Sequence, residues 1–229
     1  RLLKRAMGTP DVLQIDGLGG SRLVTSKVAI IKRSERGDAD VDYTFAQIDV
    51  ERDTVGYDAN CGNISSAVAP FAIDEGLVEA TEPVTTVRIH NTNTGTMLVS
   101  KVPVKNGRAS VLGDCAIAGV PGTGAEILMD YSGTIGAKTG KLLPTGQVTD
   151  TITLEDGRRI EVSVVDAATP CVFIAAGSLG LTGSELPPVI SADRALIETI
   201  GEVQCKAGER IGLYAHWEGC GTSRACRSP

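Results

Sequence analysis

The sequence predicts an α+β fold, or a β-barrel wrapped around a helix, on three observations. Nine short segments alternate with period two or run apolar for a few residues, which suits strands. Only two segments read as helices of useful length. Glycine is abundant, at 27 residues, and aromatics make up only 3%, so the strands are separated by many tight turns and packed with small side chains.

In chain order the expected strands are Lys27 to Lys32, Tyr43 to Val50, Thr86 to Asn91, Thr96 to Val104, Arg108 to Leu112, Glu126 to Asp130, Thr149 to Leu154, Arg159 to Asp166 and Cys171 to Ala175. Lys105-Asn106-Gly107 and Glu155-Asp156-Gly157 supply hairpin turns, because Asn-Gly and Asp-Gly tolerate positive φ. The first helix is expected from about Asn63 to Gly76, with Asn60 or Asn63 as cap, Gly76 as terminator and a kink at Pro70. Its Ala67, Val68, Ala69, Phe71, Ala72 and Ile73 leave almost no polar face, so it should be enclosed by strands. The second is expected from about Ala192 to Gly208, with Asp193, Arg194, Glu198 and Glu202 on an exposed face. Glycine-rich stretches from Gly119 to Gly124 and from Gly133 to Gly146 are the best places for a domain junction.

Composition removes several function classes. The formal net charge is -6, and no Lys/Arg stripe interleaved with aromatics is present, which argues against nucleic acid as a partner. Apolar runs such as Ala67 to Ile73 fall well short of the roughly 20 residues that span a bilayer. Arg1-Leu2-Leu3-Lys4-Arg5 lacks the apolar core of a signal peptide. The chain therefore reads as a cytoplasmic protein without a membrane partner. Of the six cysteines, Cys61, Cys115, Cys171 and Cys205 are widely spaced in apolar or glycine-rich surroundings, and free thiols are expected. No paired Cys-x-x-Cys occurs and His90 and His216 stand alone, so no metal is implied.

The segment Asp58-Ala59-Asn60-Cys61-Gly62-Asn63-Ile64-Ser65-Ser66-Ala67-Val68 holds the most chemistry. A cysteine at a helix start sits among unsatisfied amides that favour an anion, whether a thiolate or a bound carboxylate. Such a residue is either a small buried side chain or a reactive one. A second candidate is Lys27, which follows the turn Gly19-Gly20-Ser21 and opens an apolar strand. It is either solvated or turned into a cleft, where it can serve as a general base. Periodicity does not separate these readings.

Together, Asp16-Gly17-Leu18-Gly19-Gly20, Thr25-Ser26-Lys27-Val28-Ala29-Ile30, Asn60-Cys61-Gly62-Asn63, Asn91-Thr92-Asn93-Thr94-Gly95, Val120-Pro121-Gly122-Thr123 and Leu142-Leu143-Pro144-Thr145-Gly146 carry a resemblance. They resemble the 2-methylaconitate cis-trans isomerase family, which includes methylitaconate isomerases and oxalomesaconate tautomerases and shares the diaminopimelate epimerase-like fold. The resemblance covers about residues 1 to 213. It implies an α+β protein of two similar barrel-like domains, each wrapped on a central helix. The first domain would span 1-130 without its opening strand, the second would be partial at 131-213, and 214-229 would form an atypical tail supplying little apolar area for packing.

The resemblance further implies a cofactor-independent isomerase acting on a small unsaturated di- or tricarboxylic acid, with Lys27 and Cys61 as its catalytic pair. Gly20, Ser21, Gly62, Asn63 and Ser65 are the expected substrate-binding residues, and a homo-oligomer is compatible with it. An inactive remnant or a small-acid binding protein of the same fold is the alternative, and an amino-acid racemase of that fold is a third reading. Turnover of an unsaturated acid separates the first from the others.

Overall fold

A computed structural model describes residues 1-57 and 60-222. Asp58 and Ala59 of the cysteine segment, and the tail from residue 223 with Cys226, lie outside the described residues. The chain divides into two compact units, Arg1–Thr134 and Ile135–Pro229. Among the described residues no helix is long and apolar enough to cross a membrane.

The first unit contains α1 (Leu2–Met7), β1 (Lys27–Arg33), β2 (Val41–Ile48), β3 (Val55–Gly56), α2 (Gly62–Ser65), α3 (Val68–Asp74), β4 (Val84–Asn91), β5 (Thr96–Lys105), β6 (Arg108–Ala109) and β7 (Leu128–Asp130). Its mixed sheet runs β1-β2-β4-β5-β6, with β3 added to β2 and β7 to β5. β2 and β4 pair in parallel and the other neighbours are antiparallel. Alternation along β2 sends Val41, Tyr43 and Phe45 to one face, where they meet Val87 and Ile89 of β4 and Leu98, Val102 and Val104 of β5. Against that face lies α3, which touches β1, β4, β5 and β6. A sheet that meets one helix near both of its ends bends around it, as the apolar helix sequence requires.

The expected single helix from Asn63 to Gly76 is two helices. Pro70 has no N–H to offer the Ser66 carbonyl, and its ring crowds that oxygen, so the chain breaks at Ser66-Ala67 and restarts with Pro70 in the first turn of α3. Val68, Ala69, Ala72 and Ile73 are buried, whereas Phe71 points outward and is 49% exposed. The end of α3 behaves as expected. Gly76 adopts φ 66, and its amide and that of Leu77 close on the carbonyls of Ile73 and Ala72.

In the second unit β8 (Asp150–Thr153), β9 (Arg159–Asp166) and β10 (Pro170–Ile174) form an antiparallel sheet. Ile152, Leu154, Ile160, Val162 and Val164 pack on Val203 and Ala207 of α5 (Arg194–Arg210). Asp193 caps α5 by accepting a 3.0 Å bond from the Leu196 amide, and α4 (Pro187–Ala192) precedes it. Two expectations fail in this unit. Cys205 is not a free thiol: it is joined to Cys220, because the α5 face bearing it is covered by the turn Trp217–Thr222. The described part of the tail is packed rather than loose. Trp217 lies under the Lys206 ammonium, 4.7 Å from ring centroid to Nζ, and Tyr214 sits where a side chain at Gly208 would collide with it.

Two outcomes test the first unit. Ile89 is fully buried between α3 and the sheet, so Ile89→Ala is expected to cost about 2–5 kcal/mol in urea unfolding. Asp40, just before β2, accepts 2.7 Å bonds from the Arg88 backbone amide and guanidinium. The Arg88 side chain holds its carboxyl below the usual carboxylate range. A lowered folded value stabilises above the unfolded titration range and is lost as pH falls through the folded value. Asp40→Asn should therefore destabilise at neutral pH, and its gap from the parent should narrow on acidification.

Candidate active site

Lys27 is the first residue of β1, in register with Gln47 of β2, and Cys61 immediately precedes α2 in extended conformation. Their side chains meet: Lys27 Nζ lies 3.3 Å from Cys61 Sγ. Both residues are half-buried. Both residue types can in general hold and release a proton, and an ammonium at this range favours a neighbouring thiolate. Beside the contact an open pocket of about 300 Å³ is lined by Val24, Thr25, Lys27, Asn63 and Ile64. A larger groove near Arg33, Asp40 and Glu79 holds neither member of the pair.

The other expected residues divide. Gly62 and Asn63 are exposed and open α2, where the first amides have no intrahelical acceptor. They remain available to a carboxylate beside the pair. Ser65, also expected to bind substrate, is fully buried. Its hydroxyl lies 2.8 Å from the Gly62 carbonyl and 2.7 Å from the Tyr131 hydroxyl, and Tyr131 donates to the same carbonyl at 2.9 Å. Two hydroxyls thus converge on one carbonyl and brace the turn that carries Cys61. Ser21 is also committed internally, its amide donating to Gln14 Oε1 and its hydroxyl to the Leu13 carbonyl. Gly20 is exposed, and a Cβ there would strike Thr25 at 2.5 Å.

Several supporting residues were not singled out by chemistry in the sequence. Fully buried Asn91 donates at 2.8 Å to Asn60 Oδ1, directly before Cys61. Asn91 Oδ1 accepts from the Asn93 amide, and Asn93 in turn bridges the Phe45 amide and the carbonyls of Phe45 and Tyr57. In the core against which Cys61 packs, the Tyr43 hydroxyl is buried without a hydrogen-bond partner among the described residues. Burial pushes that phenol well up from its ordinary value, with further contributions from charge at Cys61 and Tyr131. Tyr43 thus stays protonated. The only advance signal for this network was the Asn-Thr-Asn-Thr-Gly string itself, since short polar residues at the end of a strand often bond to backbone.

Fold and site together define an α+β protein whose helix-wrapped first unit carries a lysine–cysteine pair. The family model described as PrpF protein matches residues 1–227, and the chain belongs to that family. It is 52% identical to the 3-methylitaconate isomerase of Eubacterium barkeri over 94% of this chain and 56% of that protein. It is 43% identical to the 4-oxalomesaconate tautomerase of Pseudomonas putida, over 93% of this chain and 58% of that protein. The crystal structure of methylitaconate-delta-isomerase superposes with a TM-score of 0.80 at 51% identity, covering 95% of this chain and 56% of that one. The chain spans a little over half the length of the curated relatives it matches.

The asparagine network makes a direct expectation. Asn91→Ala leaves the Asn60 side chain and the Asn93 amide without their partner, so it is expected to cost about 1–3 kcal/mol in denaturant unfolding. An unchanged unfolding midpoint would show that the network does not hold the cysteine loop.

Proposed function

We propose that this chain carries the proton-transfer pair of a cofactor-independent isomerase that shifts a double bond, or swaps its geometry, in a small unsaturated di- or tricarboxylic acid. The observation that carries the reading is the 3.3 Å contact between Lys27 Nζ and Cys61 Sγ beside a pocket. Relatives named as isomerases of 3-methylitaconate and 2-methyl-aconitate, and as a tautomerase of 4-oxalomesaconate, support the substrate class.

The reaction follows from those two groups. One member of the pair takes a proton from the carbon next to the double bond, and the C–H electrons spread toward a carboxylate as an enolate-like anion. The proton is returned at the far end of the conjugated system, so the double bond has moved. If rotation about the weakened bond precedes return at the original carbon, cis has become trans. Substrate and product are isomers, so one proton leaves and one arrives, and no oxidant is consumed. In this reading the amides of Gly62 and Asn63 hold a substrate carboxylate while this charge develops. We assign the reaction to the cytoplasm, consistent with the acidic net charge of -6.

Proton NMR of the purified chain with methylitaconate, 2-methylaconitate, oxalomesaconate and trans-aconitate tests the reading. Conversion of at least one acid is expected. Cys61→Ser and Lys27→Ala should each lower the rate by about a hundredfold or more, because serine holds its proton too tightly to exchange it and alanine holds none. Binding of these acids without conversion, or a Cys61→Ser variant at the parental rate, would overturn it.

A further inference from the structure

We infer that Gln14 is a positioning residue for the reaction: its buried side-chain oxygen sets the backbone that delivers Lys27 to Cys61. The inference rests on the reading of Lys27 and Cys61 as the proton-handling pair.

Gln14 is 2% exposed and lies in the loop between α1 and β1. Its Oε1 accepts two bonds of 2.8 Å, from the Ser21 amide and from the Ser26 hydroxyl. A backbone N–H can only donate, so the amide must present its oxygen there, and the orientation is fixed. The same oxygen ties both ends of the stretch Ser21 to Ser26, and the residue that follows is Lys27. From the other side Gln47 Nε2 donates to the carbonyls of Leu23 and Ser26, and the Ile48 amide donates to Ser26. The start of β1 is thus clamped between two glutamine side chains.

The loop is shaped around this residue. A Cβ at Gly19 would lie 2.2 Å from the Gln14 side-chain amide, so any larger residue there would have to displace that amide. Gln14 itself holds φ 49, a left-handed conformation that non-glycine residues keep only where their surroundings enforce it. Its Nε2 is buried without a partner among the described residues. A buried donor left unmade is costly, and it is tolerated here together with strained backbone for the sake of the oxygen's two bonds. A purely space-filling residue needs neither feature.

The test follows iodoacetamide labelling of each free thiol at neutral pH by mass spectrometry. Gln14→Leu keeps the volume and removes the acceptor. It should slow Cys61 labelling by about tenfold, as Lys27 drifts from the sulfur, and leave Cys115 and Cys171 at parental rates. Gln14→Glu restores the acceptor and should recover the Cys61 rate. Ser26→Ala, which breaks one of the two bonds with little change in volume, should give an intermediate rate and decides the matter if Gln14→Leu does not fold. Cys61 labelling at the parental rate in these variants, or equal changes at all three thiols, would overturn the inference. Lys27→Ala separates the two layers. If it slows Cys61 while Gln14→Leu and Ser26→Ala do not, the positioning role alone is wrong. If Lys27→Ala itself leaves Cys61 unchanged, the pair is wrong and the positioning role falls with it.

Discussion

The contact between Lys27 Nζ and Cys61 Sγ is the point on which the rest of the first unit converges. Two side chains separated by 34 positions in sequence meet within hydrogen-bond range because the fold brings the start of β1 against α2. Strand β1 is held by its ladder to β2 and by the loop behind it. The turn carrying Cys61 is held by Asn60 and Asn91 on one side and by Ser65 and Tyr131 on the other. Each brace is a hydrogen bond made in a partly dry setting, where leaving a partner unmade costs more than the bond itself contributes. Precision at the pair is therefore obtained from buried polar groups, while stability comes from the apolar layer below them.

That apolar layer explains the small residues on the buried faces of α3. A helix that touches strands near both ends of a curved sheet has room for Ala and Val on its inner faces, and Ala69 and Ala72 occupy those faces with no exposure. Tyr43 adds a different element. Its phenol lies in the apolar core against which Cys61 packs, and burial raises it from its ordinary value.

All nine expected strands and the long α5 were legible from alternation, turn residues and the Asp193 cap, because these are signals within a dozen residues of one another. The two-residue strand β3 and the short helices α1 and α4 were not, since segments of that length carry no period. Pro70 announced a disturbance, but its position in the first turn of a restarted helix depended on where the Ser66 carbonyl ended up. Lys27 and Cys61 were singled out, yet nothing local could say that they touch. Ser65 and Ser21 were expected to bind substrate, and the sequence held no sign that their hydroxyls also donate to the Gly62 and Leu13 carbonyls. Cys205 and Cys220 likewise gave no local sign of pairing, as the turn that covers α5 brings them together. What escaped the sequence is, in each case, the partner of a polar group across tertiary distance.

The most direct measurement of the central contact is a double-mutant cycle in denaturant unfolding at neutral pH, using Lys27→Ala, Cys61→Ala and the combined variant. Two groups in direct contact are expected to couple by about 0.5–3 kcal/mol, with the double variant departing from the sum of the singles by that amount. Strict additivity would mean that the ammonium and the sulfur do not meet in the folded protein, and the proton-transfer pair would have to be sought elsewhere.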